Sequence, residues 1–395
     1  MKKILFDFIS LQDNFINGGM LYTQRIFYEV LDKEVEIYGL YDGDIPINER
    51  IETIMNQRKI TLINIRERNI CEIINNIRVD AFFIGIAQRY NFFDLCCLKC
   101  KIVIVCHDLS DMSLLYFKIT QSEPLKNFSE RYFIRKKNKI KIFTKIILYP
   151  LVLLRRYIKQ KRIISLYANF EKLIMQPNVF VVTDSEYSKC SIRYFFCNPK
   201  NKMEIFYPPM IKENFETKIG KINNTSIKNK KYFLLLATAV IHKNATLFLE
   251  QWKKFSLLTG YEYHCILVGK IKVNMKNCIV LEEVNHEELA YLYKNAFALV
   301  YPSFAEGFGY PPIEAAVYGT PSICSNVTSI PEICGDMPIY FSPFYPEDLL
   351  RAMIKMTENR EIYVERTKKR FLEVSQRQKE DLEKLIDLIL GEVNI

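Results

Sequence analysis

Residues 296–319 read AFALVYPSFAEGFGYPPIEAAVYG and decide the fold of this 395-residue chain. The apolar run at 296–301 predicts a strand that is buried on both faces. The glycines that follow allow a tight loop, and the two prolines at 311–312 suit the first turn of a helix. The stretch therefore predicts a strand, a glycine loop and a helix start. That arrangement gathers backbone N–H groups at the edge of a parallel sheet, where anions and nucleotides bind.

Two carboxylates lie in this stretch, Glu306 in the loop and Glu314 in the predicted helix. A carboxylate near a helix N-terminus stays ionised easily and then only accepts hydrogen bonds, which suits sugar hydroxyls. Taken singly, each is more typical of a solvated surface glutamate. The surrounding glycines and prolines, and the Gly-Thr-Pro turn at 319–321, favour a binding site instead.

The pattern resembles the signature of the retaining glycosyltransferases of family 4. It reads E-G-F-G-x-P-P-x-E-A at 306–315, then G-T-P at 319–321, then S-x-P-E-x-x-G-D at 329–336. The resemblance implies an α/β chain with the GT-B fold, in which two Rossmann-like domains with parallel sheets face each other across a cleft. It covers most of the chain and is weakest over 112–175.

The same resemblance implies roles for five residues of the loop and helix. Glu306 would meet the donor sugar and Glu314 the ribose of the nucleotide. The remaining donor-binding residues of the loop would be Gly307, Phe308 and Gly309.

The predicted domain boundaries follow changes in composition. Residues 1–210 form an N-terminal Rossmann-like domain on the acceptor side, with a basic and apolar insert at about 112–175. A linker rich in Lys, Asn and Gly covers 211–230. Residues 231–375 form the nucleotide-sugar-binding domain, and 376–395 form a terminal helix that the resemblance expects to cross back to the N-terminal domain.

A strand, a Gly-Gly pair and an amphipathic helix open the chain, with Gly18 and Gly19 before a helix predicted at 21–31. Free N–H groups at such a helix start favour an anion, although any tight turn can use two glycines. The resemblance places this pair against the donor diphosphate or the acceptor.

His107 follows KIVIVC at 101–106, a run typical of a strand buried on both faces. Ligands bind at the carboxyl ends of such strands in open α/β sheets. A lone histidine is more often a hydrogen-bonded core residue. The His-Asp-Leu triplet at 107–109 nevertheless resembles the family motif in which this histidine points at the donor sugar.

The second predicted domain opens with a strand and a loop that resembles the family pattern G-R-x-x-x-x-K-N. Lys243 and Asn244 match it, and the resemblance implies that Lys243 neutralises the departing diphosphate. The arginine of the pattern is Thr238 here. Because of this departure, His242 or another basic residue would have to act as the second phosphate-binding cation.

The numbers of Cys and His residues limit which metals and cofactors the protein is expected to bind. The chain has eleven Cys and four His, and its N-terminus carries no export signal, so a reducing cytoplasm and free thiols are expected. The pair Cys97-x-x-Cys100 lacks a second pair at zinc-site spacing, which favours buried thiols. We expect no metal and no cofactor beyond the nucleotide-sugar donor.

The net charge of +10 belongs to one segment, since residues 131–162 hold twelve Lys or Arg and no acid. An apolar run at 146–154 is too short to span a bilayer, which needs about 20 residues. Cations around aliphatic residues favour an anionic membrane surface. The alternatives are a solvated basic helix packed on the domain and a nucleic-acid site. No recognised module supports nucleic acid, so none is expected as a partner.

Together these observations predict a retaining glycosyltransferase that moves a hexose from a nucleotide sugar to a hydroxyl of a glycan or lipid-linked glycan. Bacterial cell-surface polysaccharide synthesis is the expected context, with the protein cytoplasmic and peripheral on the inner face of the cell membrane. The alternatives are a nucleotide-sugar epimerase, a glycogen-type synthase, and an inactive membrane-attached scaffold. The sequence leaves the donor base, the sugar and the acceptor open.

The basic segment generates a first prediction. Because each cation near an anionic surface contributes about 1 kcal/mol, the protein should float with anionic vesicles at low salt and be released at high salt. Changing Lys136 and Lys137 to Ala should weaken flotation, whereas the same change at Lys253 and Lys254 should not. Absence of binding to any vesicle at low salt would make 131–162 a packing insert.

Overall fold

The computed structural model describes eleven parts of the chain. They are residues 1–12, 18–47, 49–90, 93–109, 158, 161, 167–196, 202–210, 227, 230–236 and 241–392. Thr238, most of the predicted insert and linker, and all of the basic segment except Ile158 and Lys161 lie outside these residues.

The chain divides into two compact units. The first unit comprises Met1–Phe15, Glu34–Val182 and Cys190–Met203. The second comprises Ile16–Lys33, Thr183–Lys189 and Glu204–Ile395.

The first sheet has seven strands in the described residues, in the order β3-β2-β1-β4-β5-β6-β7. The strands are Lys2–Asp7 (β1), Val35–Tyr41 (β2), Thr61–Asn64 (β3), Ala81–Ile84 (β4), Lys101–Cys106 (β5), Val179–Thr183 (β6) and Met203–Ile205 (β7). β1 lies between β2 and β4 and runs parallel to both. The strand order reverses between β1 and β4, which makes their carboxyl ends a switch point of the sheet.

Five α-helices accompany this part of the chain in the described residues. They are Gly18–Leu31 (α1), Glu49–Arg58 (α2), Ile70–Ile77 (α3), Ala168–Ile174 (α4) and Glu186–Phe195 (α5), with 3₁₀ turns at Ile9–Leu11 and Ala87–Tyr90. The predicted start of α1 at residue 21 is three residues late, since the helix begins at Gly18.

The second sheet has six strands in the order β10-β9-β8-β11-β12-β13, and every neighbouring pair is parallel. The strands are Tyr232–Leu236 (β8), His264–Val268 (β9), Cys278–Leu281 (β10), Ala298–Tyr301 (β11), Ser322–Ser325 (β12) and Ile339–Phe341 (β13). Its switch point lies between β8 and β11.

Five α-helices follow the strands of the second sheet. They are Ala245–Leu258 (α6), His286–Asn295 (α7), Tyr310–Val317 (α8), Ile330–Cys334 (α9) and Pro346–Leu390 (α10), with a 3₁₀ turn at Ile241–Lys243. α7 starts with a capping box, in which the Asn285 side chain accepts the N–H of Glu288 and the Glu288 carboxylate accepts the N–H of Asn285.

The core of the second unit is built on aromatic side chains. Phe233 on β8 is fully buried, and its ring lies 5.3–5.9 Å from the rings of Trp252, Phe255, Tyr263 and Phe297. Most of these pairs are tilted or edge-on, the arrangements that aromatic rings prefer. This packing places β8 in the centre of the sheet, so the loop after β8 starts from a rigid strand.

The sequence predicts three helices near the end of the chain, at 346–356, 358–374 and 378–390, and the structure differs from this prediction. α10 is one run with a single non-helical position, Asn359 (φ −127°, ψ 21°). The predicted break at 357 therefore corresponds to a kink near Asn359. The predicted break at 375–377 is wrong because Ser375, Gln376 and Arg377 include no Gly or Pro to end a helix.

The prediction of free thiols throughout is also wrong. Cys71 on α3 and Cys97 form a disulfide, with Cα atoms 6.1 Å apart. The two residues are distant in sequence, and only the packing of α3 against the segment before β5 brings them together. Burial raises the pKa of the neighbouring Cys100 thiol to about 11, as expected for an unreactive cysteine.

Within the described ranges, no helix is long and apolar enough to cross a bilayer.

A buried carboxylate ties α10 to the segment after β7. Asp381 is 4% exposed, and its Oδ2 accepts the backbone N–H of Tyr207 at 2.9 Å. Arg377 and Lys384, one turn away on either side, lie 3.3 and 3.5 Å from the same carboxylate. Beside it, Gln378 donates to the carbonyl of Pro208 at 2.7 Å.

The second prediction concerns this anchor. Asp381→Ala should lower the free energy of unfolding by about 1–3 kcal/mol, because it leaves the Tyr207 N–H buried without an acceptor. Glu383→Ala, on the exposed face of the same turn, should change it by less than about 0.5 kcal/mol. Urea unfolding of both variants measures the difference, and equal losses would contradict the anchoring role.

Candidate functional site

The loops after two neighbouring strands of the second sheet each carry one charged residue of the candidate site. Lys243 ends the 3₁₀ turn after β8, and Glu306 lies in the loop after β11. Lys243 Nζ lies 2.7 Å from Glu306 Oε1, and the side chains are only 22% and 12% exposed. Nζ also donates to Tyr301 Oη at 3.3 Å. The sheet's switch point therefore carries a largely buried ion pair.

Glu314 lies on the second turn of α8 and joins this pair. Tyr293 Oη on α7 donates to Glu314 Oε2 at 2.8 Å. Burial raises the pKa of Glu314, and the Tyr293 hydrogen bond and the nearby Lys243 charge oppose that rise. The structure thus brings together Lys243, Glu306 and Glu314, which are predicted to share one site and are up to 71 residues apart in sequence.

Two serine hydroxyls hold the backbone of the glycine loop. Ser185 Oγ donates to the carbonyl of Gly307 at 2.7 Å, and Ser329 Oγ lies 2.9 and 3.3 Å from the carbonyls on either side of it. A trans peptide is planar, so each following N–H, at residues 307–309, points away from the serine that contacts its own carbonyl. Backbone N–H groups of such a loop can bind an anion.

Two of the predicted loop residues contribute in different ways. Gly309 has φ +92° and caps α8, a backbone conformation that L side chains rarely adopt. The Phe308 side chain is 3% exposed, and its ring lies 5.3 Å from that of Tyr207 and 5.2 Å from that of Tyr310. Because this ring is packed inside, only the backbone of Phe308 is suited to contact a ligand.

Thr328 supports the same loop and was not predicted from the sequence. Its Oγ1 accepts the backbone N–H of Glu306 at 3.2 Å. Its φ is +56°, which is unusual for a β-branched residue and costs about 1–3 kcal/mol. A strained residue that holds the backbone of a candidate catalytic glutamate is a functional-site signal that the sequence alone does not carry.

The loop after β8 is described from residue 241 onward. Asn244 adopts a left-handed conformation (φ 54°) before α6, and its buried Nδ2 has no hydrogen-bond partner among the described residues. The carbonyl of His242 accepts the N–H of Phe304 at 2.7 Å, which ties the loops after β8 and β11 together. Thr238 lies outside the described residues, so its role and its replacement by His242 stay predictions.

His107 lies in the first unit and is considered by itself. It directly follows β5, and its Nε2 is 3.0 Å from the carbonyl oxygen of Gly85, at the end of β4. A carbonyl only accepts, so Nε2 carries the proton. This contact agrees with the alternative of a hydrogen-bonded histidine and also orients the ring at the carboxyl edge of the sheet. Its role toward the donor sugar stays a prediction.

Asp7, at the end of β1, accepts a hydrogen bond from Gly85, whose carbonyl contacts His107. It is fully buried and accepts from Gly85 N at 3.0 Å, Ser10 N at 2.9 Å and Tyr90 Oη at 2.6 Å. Burial raises the pKa of Asp7, and these hydrogen bonds oppose the rise. The signal in the sequence is an acid that directly ends an apolar strand.

Gly18 and Gly19 form the first residues of α1. A Cβ added to Gly18 would meet no atom of the described structure within 4 Å, so sterics do not require glycine there. The carbonyl of Gly19 accepts from Thr23 Oγ1 at 2.9 Å. Their contact with the donor diphosphate or acceptor stays a prediction. Within the described ranges, no group of three or more His, Cys, Asp or Glu is placed to hold a metal ion.

Two units with parallel sheets, and a lysine–glutamate cluster at the switch point of one, define the class of protein. This is the GT-B architecture predicted from the sequence, and the two sheets confirm it. Residues 218–377 match the model of the family described as glycosyl transferases group 1. The chain is therefore similar to that family over residues 218–377, which is the resemblance predicted from the sequence. The narrower assignment to retaining family 4 stays a prediction.

A curated relative supports the match. The chain is 31% identical over 172 residues to the O-antigen chain mannosyltransferase RfbU of Salmonella typhimurium. The matched region covers 41% of this chain and 46% of the relative, so it spans less than half the length of that protein.

Solved structures resemble the whole chain at low identity. A sucrose-phosphate synthase from Thermosynechococcus elongatus aligns with a TM-score of 0.66 and 11% identity, over 99% of this chain and 98% of that one. The Anabaena protein Alr3699/HepE, solved in complex with UDP and glucose, aligns with a TM-score of 0.64 and 14% identity over all of both chains. At such identities the similarity establishes the fold.

The third prediction tests the support of the Glu306 loop. Thr328→Val keeps the shape and the unfavourable φ but leaves the Glu306 N–H without its acceptor. It should therefore lower the free energy of unfolding by about 1–3 kcal/mol. Thr328→Ser keeps the hydroxyl and should lose less. Thermal unfolding compares the two variants, and equal stability of both would show that the hydroxyl does not hold the loop.

Proposed function

We propose that this protein is a retaining glycosyltransferase that transfers a hexose from a nucleotide sugar to a hydroxyl group of a glycan acceptor. The observation that carries the proposal is the cluster of Lys243, Glu306 and Glu314 beside a glycine-rich loop, within the range that matches the group 1 family. A cation with N–H groups suits a diphosphate, and carboxylates suit sugar hydroxyls.

The ion pair indicates how donor binding would proceed. Without donor, Lys243 is neutralised by Glu306 at 2.7 Å, so neither charge is buried alone. A donor diphosphate would replace Glu306 as the partner of Lys243. Glu306 would then be free to accept hydrogen bonds from the hexose hydroxyls. Binding therefore exchanges one ion pair for another, which avoids an uncompensated buried charge.

The chemical step would be a front-face displacement. The bond from the anomeric carbon to the diphosphate oxygen breaks, and a bond to the acceptor oxygen forms on the same face, which retains the configuration. The acceptor proton passes to the departing diphosphate. Lys243 and backbone N–H groups of the glycine loop would stabilise the charge that develops there, and Glu306 would position the sugar. In this scheme no metal ion takes part.

Mannose is the first sugar to test, because the relative with 31% identity is named as an O-antigen chain mannosyltransferase. The proposed acceptor is a growing cell-surface polysaccharide, either free or linked to a lipid. A lipid-linked acceptor would suit the basic segment 131–162, which we expect to lie on the inner face of the cell membrane.

The fourth prediction tests the function. With GDP-mannose, UDP-glucose and an oligomannoside acceptor, the protein should release a nucleoside diphosphate and form an axial linkage visible by NMR. Glu306→Gln should reduce turnover at least about 100-fold, because it removes a charged acceptor from the sugar. It should also lower the melting temperature, because Lys243 loses its ionic partner, so turnover is measured at a temperature where the variant is folded.

A matched control is Glu262→Gln. Glu262 also pairs with a lysine, Lys231, at 2.8 Å, but both side chains are more than half exposed. Turnover should therefore be unchanged in this variant. Consumption of no nucleotide sugar by the wild type would overturn the proposed function, and near-normal turnover in folded Glu306→Gln would remove Glu306 from the site.

A further inference from the structure

Tyr293 on α7 is buried, and its hydroxyl group contacts Glu314 of the candidate site. It is 2% exposed, and its hydroxyl donates to Glu314 Oε2 at 2.8 Å. Its ring stacks on that of Tyr318 at 6.2 Å and 15°, and its carbonyl accepts from Thr320 Oγ1 at 2.6 Å. The backbone, ring and hydroxyl of Tyr293 are therefore all held in place before any ligand binds.

We infer that Tyr293 is a positioning residue that holds one oxygen of Glu314, so that the other oxygen accepts the hydroxyls of a nucleotide ribose. This inference rests on the proposed function, in which Glu314 binds the ribose. It adds a residue that touches neither the donor nor the acceptor. A glutamate side chain has three rotatable bonds, and one oxygen fixed by a rigid tyrosine leaves little freedom for the other.

The groups around Glu314 determine how strongly the Tyr293 hydroxyl favours its ionised form. In the described residues, the titratable groups that face Glu314 are Tyr293 on α7, Lys243 on the turn after β8, and Tyr310 and Tyr318 at the two ends of α8. Lys243 is also paired with Glu306, so its charge is shared. Tyr293 supplies the direct hydrogen bond that favours the ionised form of Glu314.

The chain offers a matched control in Tyr232. It is 1% exposed, belongs to the same hydrophobic cluster, and its hydroxyl donates to the carbonyl of Leu292, also at 2.8 Å. Tyr232→Phe therefore removes a buried hydroxyl of similar surroundings and bond length, but without a contact to Glu314. A general effect of losing a buried tyrosine hydroxyl would appear equally in Tyr232→Phe and Tyr293→Phe.

The first test measures ligand binding by calorimetry, with ADP, CDP, GDP, UDP and inorganic pyrophosphate as probes. Tyr293→Phe should weaken the tightest nucleoside diphosphate about tenfold, because a hydrogen bond to a charged group is lost. Pyrophosphate has no ribose and should bind unchanged. Tyr232→Phe should alter neither probe, and in a Glu314→Gln background Tyr293→Phe should cause no further loss.

The second test needs no ligand and separates this inference from the proposed function. The pKa of Glu314 is raised by burial, so its ionisation costs folded-state stability as pH rises through that pKa. Without the Tyr293 hydroxyl that pKa rises further, and the cost grows. The melting-temperature loss of Tyr293→Phe should therefore increase from pH 5 to pH 8, while that of Tyr232→Phe stays constant.

The outcomes of the two tests are distinct. If the wild type binds none of the probes, the proposed function fails, and the pH dependence still decides whether Tyr293 positions Glu314. The inference is overturned if both tyrosine variants show the same pH dependence, or if the dependence of Tyr293→Phe persists in Glu314→Gln. It is also overturned if Tyr293→Phe weakens pyrophosphate as much as the nucleoside diphosphate.

Discussion

The ion pair between Lys243 and Glu306 is the interaction on which the candidate site depends. It exists because β8 and β11 are neighbours at the point where the strand order of the second sheet reverses. At such a point the loops after the two strands diverge to opposite faces and leave a crevice between them. Opposite charges that are 12–22% exposed must pair to avoid a large desolvation cost, so each loop fixes the other.

The hydroxyl groups of Ser185, Thr328 and Ser329 hydrogen-bond to the backbone of the loop that carries Glu306 and form a frame around it. Ser185 and Ser329 bind the carbonyls of residues 306–308, and Thr328 accepts the N–H of Glu306. These bonds fix the backbone of the loop that carries Glu306. The strain at Thr328 is consistent with this frame, since a residue stays in an unfavourable conformation only where its surroundings fix it.

The buried carboxylates of this fold have different roles, which depend on their hydrogen-bond donors. Asp7 is enclosed and accepts from several donors, so it organises a loop and has little capacity left for a ligand. In the described residues, Tyr293 donates to one oxygen of Glu314, and the other oxygen retains acceptor capacity. Asp381 anchors the terminal helix to the segment after β7. The number and direction of donors separates a structural carboxylate from a candidate ligand-binding one.

The family resemblance supplied the two parallel sheets and the candidate Lys243, whereas the residues themselves determined the strand, loop and helix of 296–319 and the candidate carboxylates Glu306 and Glu314. These follow from local rules: apolar runs make buried strands, and glycine and proline are needed where the backbone demands them. The family resemblance then supplied the proposed roles of these residues, which the fold does not test.

Only the tertiary structure decided which side chains support these residues. Tyr293, Thr328 and Ser185 have ordinary sequence surroundings, and Ser185 lies 122 residues from the loop it holds. The Cys71–Cys97 disulfide and the unbroken helix beyond Asn359 were likewise predicted wrongly. The physical reason is the same in each case: a hydrogen bond or a disulfide depends on distance and direction in space, and a local pattern of residue types does not encode either.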